Sequence, residues 1–187
     1  MSSNHKTTAT GLAFAGMMVA VVLVSNYISI PTAFSRLHVA NAVCMLAGML
    51  FGGVRGGIIA GLGSALFDLT YPAYAAEAWI TFLTKGAMTL ACGIIVNDKK
   101  NTLRPRYVLL LGSATGAILY IALYLFKSYL QVRWLAPIPP ETIPAAMAGK
   151  LASSAINGLF AVIVAPLLYG ALIPALKKAG LAEHLRD

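Results

Sequence analysis

The side chains able to do chemistry here are polar groups stranded in apolar surroundings. Arg36, His38, Asn41, Asp68, Glu77, Lys85, Lys150 and Asn157 come from separate stretches of a chain that is otherwise oily. An ionised side chain at the centre of a membrane helix costs on the order of 2.5–3.5 kcal/mol on insertion scales, so it marks a working site unless it pairs or snorkels. Lys85 lies eight residues after Glu77, and Lys150 six after Pro144. That spacing puts both lysines about one to two turns below one membrane surface. Cations outnumber acids in this layer, a balance suited to an anionic or carboxylate-bearing ligand. Two readings stand side by side: the lysines pair with Asp68 or Glu77, or they hold a ligand.

Aromatic residues accompany these groups. Tyr71, Tyr74 and Trp79 lie in "TYPAYAAEAW", beside Asp68 and Glu77, at the depth where tyrosine and tryptophan commonly anchor a helix in the interface. They serve equally as walls of a pocket, with Tyr124 as a further wall. Tyr120, Tyr124 and Lys127 are spaced four and three apart, so they share a helix face, as do Lys150 and Asn157. Enzymatic signatures are missing: there is no HExxH, GxSxG or Walker sequence. Two of the three histidines, His5 and His184, lie in the tails, while Cys44 and Cys92 lie within apolar runs as small buried residues. No enzyme, metal site or cofactor is expected.

The elements that must position these groups are membrane helices. Of 187 residues 59% are hydrophobic and 11% charged, and the mean hydropathy is +0.79. This composition predicts one all-α integral membrane domain, with spans near 8–30, 37–51, 54–69, 77–95, 107–131 and 144–172. The first span carries no strongly basic leader and is followed by others, so it is not read as a cleaved signal. The organising stretch is "LHVANAVCMLAGMLFGGVRGGIIAGLGSALFDL", Leu37 to Leu69. Gly48, Gly52 and Gly56 fall four apart, as do Gly53, Gly57 and Gly61, making bare strips where helix backbones approach closely. The pattern predicts two short helices reversing at "GGVRGG" around Arg55, with His38, Asn41 and Asp68 meeting at one surface. A re-entrant hairpin or one broken helix are the competing readings.

Ile30 to Arg36, "IPTAFSR", reads as a proline-containing connection, "APIPPETIP" as an extended proline-rich loop, and Pro166 as a kink in the last span. The net charge of +8 sits mostly at membrane edges and implies no nucleic-acid partner. Lys6, Arg55, Lys99, Lys100, Arg104, Arg106, Lys177, Lys178 and Arg186 fall on one side, against Arg36, Lys127 and Arg133 on the other. Nine against three places both termini in the cytoplasm. Ala9, Ala13, Gly16 and Ala20 form a small-residue strip on the first span, read either as packing within the chain or as a docking surface for a partner.

The pattern resembles the substrate-binding S components of energy-coupling-factor (ECF) vitamin transporters. The likeness covers the whole chain in length, six spans and inner termini. It is most specific in Leu37 to Leu69 and the following "PAYAAEAWITFLTK", which is similar to pantothenate-type members. The resemblance implies a bacterial plasma-membrane protein that binds a vitamin at its outer face. It also implies docking on a membrane coupling subunit driven by two cytoplasmic ATPases, with the family's AxxxA strip carried over to Ala9 and Ala13. Pantothenate, with its carboxylate, hydroxyls and amide, suits the cationic layer. A folate or a flavin would want a broad aromatic sandwich. A pyridoxine-type or queuosine-precursor ligand, or a stand-alone channel or exporter, are the alternatives.

Overall fold

The computed structural model describes residues 9–31, 36–96, 105–135, 138–182 and 185. Within them lie seven α-helices: α1 (Ala9–Tyr27), α2 (Ala40–Phe51), α3 (Gly53–Leu69), α4 (Pro72–Ala75), α5 (Ala78–Val96), α6 (Arg106–Leu130) and α7 (Ile143–Lys178). The architecture is an all-helical membrane bundle. α1, α5, α6 with its continuation to Leu135, and α7 are long and apolar enough to cross a membrane. Their outward faces carry exposed Leu12, Val24, Leu83, Ile118, Phe126 and Leu159. A helix apolar all round has no water-facing side, which is the signature of a lipid-facing span.

α2 is the axis of the bundle. Every one of its twelve residues is buried, and it packs against α1, α3, α5 and α7. Twelve residues rise only about 18 Å, well under the hydrocarbon thickness of about 30 Å. Because neighbouring helices surround it, a short helix here leaves no polar backbone end in lipid. Glycine makes the close packing possible. A Cβ on Gly56 would stand 2.6 Å from Gly48 Cα, and one on Gly93 would stand 2.6 Å from Gly53 Cα. α2, α3 and α5 thus meet backbone to backbone, as the glycine spacing predicts.

The reversal between α2 and α3 comes at Gly52, whose φ of 83° is a left-handed value that favours glycine. The turn is therefore three residues before Arg55, which lies in the first turn of α3. The proline-containing connection expected over 30–36 has a short strand at each end. Ser29–Pro31 (β1) and Arg36–His38 (β2) pair antiparallel, with Ser29 opposite His38 and Pro31 opposite Arg36. Pro31 sits at the end of a two-stranded ribbon, where its missing N–H disrupts no interior ladder. α7 runs unbroken through Pro166 and Pro174 to Lys178, beyond the expected end near 172. Of the basic residues counted on the cytoplasmic side, Lys6, Lys99, Lys100, Arg104 and Arg186 lie outside the described residues.

α1 packs through Gly11, Met18, Val22 and Ser25. At 100° per residue, Ala9, Ala13, Gly16 and Ala20 project from about the opposite side of the helix, and all four are exposed. Among the described residues the strip therefore lies on the side of α1 away from its buried face, with Ala20 at the edge of a crevice beside Val39 and Val43.

Candidate functional site

At one end of the bundle the helices part around a cavity of about 720 Å³. The C-terminal ends of α1 and α3, the first turn of α2, α4, the N-terminal halves of α5 and α7 and the C-terminal half of α6 enclose it. Antiparallel connections bring these ends to one surface, and the short α2 stops below it. The cavity floor is polar. Lys85 is 8% exposed, donates to Asn41 Oδ1 and holds its ammonium 4.5 Å from the Tyr120 ring centroid. The amide dipole and ring face together replace much of the hydration the buried ammonium loses.

Glu77 closes another part of the wall. Its carboxylate accepts from Lys127 Nζ and from Gln131 Nε2, so α6 is clamped to the start of α5 by a charge-assisted pair. The pairing considered from sequence, Lys85 or Lys150 with Glu77, is not the one formed. Lys150 lies with its Nζ 5.7 Å from the Tyr124 centroid. Asp68 is half-buried at the end of α3, within electrostatic reach of Lys85 and Lys127.

Two aromatic groups line the same space. On α6, Tyr120 and Tyr124 stack with centroids 6.1 Å apart and planes inclined by 17°. Tyr27, Phe67, Tyr71 and Tyr74 form a chain of ring contacts, with Tyr27 edge-on to Phe67 at 4.8 Å and Phe67 5.1 Å from Tyr71. One group sits on α6 and the other is drawn from α1, α3 and α4, and both line the same cavity. A planar ligand entering the cavity meets ring faces and edges from both.

A family model described as "ECF-type riboflavin transporter, S component" matches residues 6–174 of the chain. The chain belongs to the S-component family of ECF transporters. No curated protein compared with the chain matches it. S components bind vitamins and pair with an energy-coupling module. This S component is thus a multi-pass plasma-membrane transport protein rather than an enzyme. The resemblance read from the sequence reached this family, whereas its pantothenate-type subdivision finds no support in the riboflavin-type match.

The S component gathers most of the residues singled out from sequence. His38, Asn41, Asp68, Tyr71 and Tyr74 line the cavity, and so do Glu77, Lys85, Tyr124, Lys150 and Asn157. Trp79 does not: it is 65% exposed on α5 and lies outside the cavity wall. Arg36 has its backbone in β2, and its side chain lies outside what is described. Sequence reasoning missed Asn26, Tyr27, Phe67, Thr81, Thr84, Gln131 and the serines Ser128, Ser153 and Ser154. It noticed Tyr120 and Lys127 on the face of Tyr124 without carrying them into the site. Among the described residues no group of three His, Cys, Asp or Glu side chains is placed to hold a metal.

Proposed function

We propose that this S component captures a vitamin with a flat conjugated ring system, of the flavin class, in the cavity at the outer end of its bundle. What carries the reading is the pair of aromatic groups, Tyr120 with Tyr124 on α6 and Tyr27 with Phe67, Tyr71 and Tyr74 from α1, α3 and α4, lining one cavity. The riboflavin-type family match points the same way. The ring inserts between tyrosine walls, and the polar floor around Lys85 and Asn41 orients its heteroatoms. Energy comes from outside the chain, through a membrane coupling subunit and two cytoplasmic ATPases. The coupling subunit docks on the exposed strip Ala9, Ala13, Gly16 and Ala20. Both termini face the cytoplasm on the nine-to-three distribution of basic residues.

Pantothenate is the second reading, and one observation favours it. Among the described residues Lys150 reaches the cavity with only the Tyr124 ring against its ammonium, and a carboxylate would complete its hydrogen bonds. Titration of the purified protein separates the two. Riboflavin should bind at one site with Kd below about 1 µM, its fluorescence quenched by stacking on tyrosine. Calorimetry with pantothenate should show no comparable heat. Tight pantothenate binding with riboflavin ignored would transfer the assignment to the second reading, and indifference to both would sink the pair.

A further inference from the structure

Resting on the flavin-class reading, we infer that Ser128, Lys150 and Ser154 form a subsite between α6 and α7 that binds the hydroxylated side chain of the vitamin. Ser128 is 1% exposed and belongs to the cavity wall. Among the described residues its Oγ is the one buried side-chain polar atom with no hydrogen-bond partner. An orphaned buried hydroxyl is uncommon in folded proteins and calls for an explanation, such as a partner that arrives later.

The helix offers a way to satisfy it, and other hydroxyls on α6 take that way. Ser113 Oγ donates to Leu109 O over 2.9 Å, and Thr115 Oγ1 to Leu111 O over 2.9 Å, each four residues back. Ser128 makes no such bond to its own helix. It follows Tyr124 by one turn and Tyr120 by two, so it continues the face that carries the stacked rings. A ring held against those tyrosines would extend its substituent along this line.

The neighbouring groups define what substituent fits. Lys150, above the Tyr124 ring, forms no hydrogen bond or ion pair among the described residues and can only donate. Ser154, one turn further along α7, already donates to Leu151 O over 3.0 Å, which leaves its oxygen free to accept. Ser128 can do either. The wall thus presents a donor, an acceptor and a group that is both. A carboxylate supplies acceptors alone and leaves Ser154 unmatched. A chain of hydroxyls supplies donors and acceptors and matches all three.

The test compares riboflavin with lumiflavin, which keeps the ring and replaces the hydroxylated chain by a methyl group. The wild-type protein should prefer riboflavin, and Ser128→Ala should lose about fivefold to tenfold in riboflavin affinity, as for one hydrogen bond, with lumiflavin unchanged. Ser154→Ala should act in the same direction and decides the matter if Ser128→Ala fails to fold. Riboflavin affinity unchanged in Ser128→Ala, or equal loss for both ligands with a lowered melting temperature, overturns the subsite and makes the hydroxyl structural. Equal wild-type affinity for both flavins overturns the subsite while the flavin reading stands. Failure to bind either flavin removes the reading itself, and the subsite with it.

Discussion

The backbone N–H of His38 donates to Oδ1 of Asn157 over 2.6 Å, joining residues 119 apart in the chain. Asn157 Nδ2 in turn donates to Ser153 O over 3.0 Å, so the amide is held from both ends. His38 closes β2 and leads into α2. One side chain on α7 therefore fixes the β1–β2 ribbon against the cavity wall. Asn157→Ala removes the acceptor and loosens the ribbon. The dissociation rate of bound vitamin should rise about tenfold, in keeping with one lost, partly buried hydrogen bond, while Asn157→Asp, which keeps an acceptor, should rise less. Stopped-flow displacement measures it; equal rates in all three proteins would detach the ribbon from ligand release.

Lys85 and Lys150 should behave differently although both are lysines within spans. Lys85 is bonded to Asn41 and buried, so Lys85→Met leaves Asn41 Oδ1 without its donor. The folded protein should lose about 1–3 kcal/mol, with part recovered when Asn41→Leu is added. Among the described residues Lys150 makes no such bond, so Lys150→Met should leave the melting temperature in detergent unchanged. It should instead lower vitamin affinity by about tenfold. Thermal unfolding and ligand titration on the same four proteins would expose the reverse pattern.

Glycine at the three-helix junction is a packing requirement. A Cβ on Gly93 would meet Gly53 Cα at 2.6 Å, Gly53 N at 2.7 Å and Gly48 O at 2.8 Å, all backbone atoms that cannot rotate away. Gly93→Ala should cost roughly 1–3 kcal/mol or more by overpacking and reduce the yield of folded protein. Gly16→Ala, with no described residue within 4 Å of the added carbon, should be neutral for folding. Size-exclusion profiles of the two variants check the contrast.

Parts of the fold and of the cavity lining were legible in the sequence, and the reasons are physical. Glycines four apart in an apolar run admit few meanings, so the α2–α3 hairpin and its polar ends could be read directly. Which glycine turns the chain could not: Gly52, Gly53, Gly56 and Gly57 are equally able, and packing against α5 decides. The partner of Glu77 was equally hidden, because Lys127 lies 50 residues away and periodicity carries no pairing information. Trp79 was misplaced for a reason visible beforehand. It follows Glu77 by two residues, about 200° round a helix, so both do not face one cavity. Ser128 gave no signal at all; a serine among apolar residues shows its lack of a partner only once the fold is built.

The orientation of the bundle is open to direct labelling. Cys44 and Cys92 are both buried, so an impermeant thiol reagent has little native background. Arg106→Cys, exposed at the start of α6, should be silent in intact cells and react once they are opened. Glu141→Cys, exposed ahead of α7 at the cavity end, should react from outside. The opposite result would put the cavity in the cytoplasm and defeat the import reading.

Variants in the exposed strip of α1 test whether transport can be lost while binding is kept. Ala9, Ala13, Gly16 and Ala20 project from the side of the helix opposite Gly11, Met18, Val22 and Ser25, which pack inward. A larger side chain at Ala13 therefore points away from the described residues that α1 packs against. In lipid, where apolar surfaces gain little from mutual burial, small residues matter chiefly because they let a second helix come close. Leucine there holds that helix off without disturbing the cavity, which lies at the other end of α1 beside Asn26 and Tyr27. Ala13→Leu should leave vitamin affinity and melting temperature as in the wild type, abolish vitamin uptake by cells, and prevent co-purification with the coupling subunit. Uptake at the wild-type rate would remove the strip from the docking surface. Loss of binding together with uptake would show instead that α1 supports the cavity through contacts on that face.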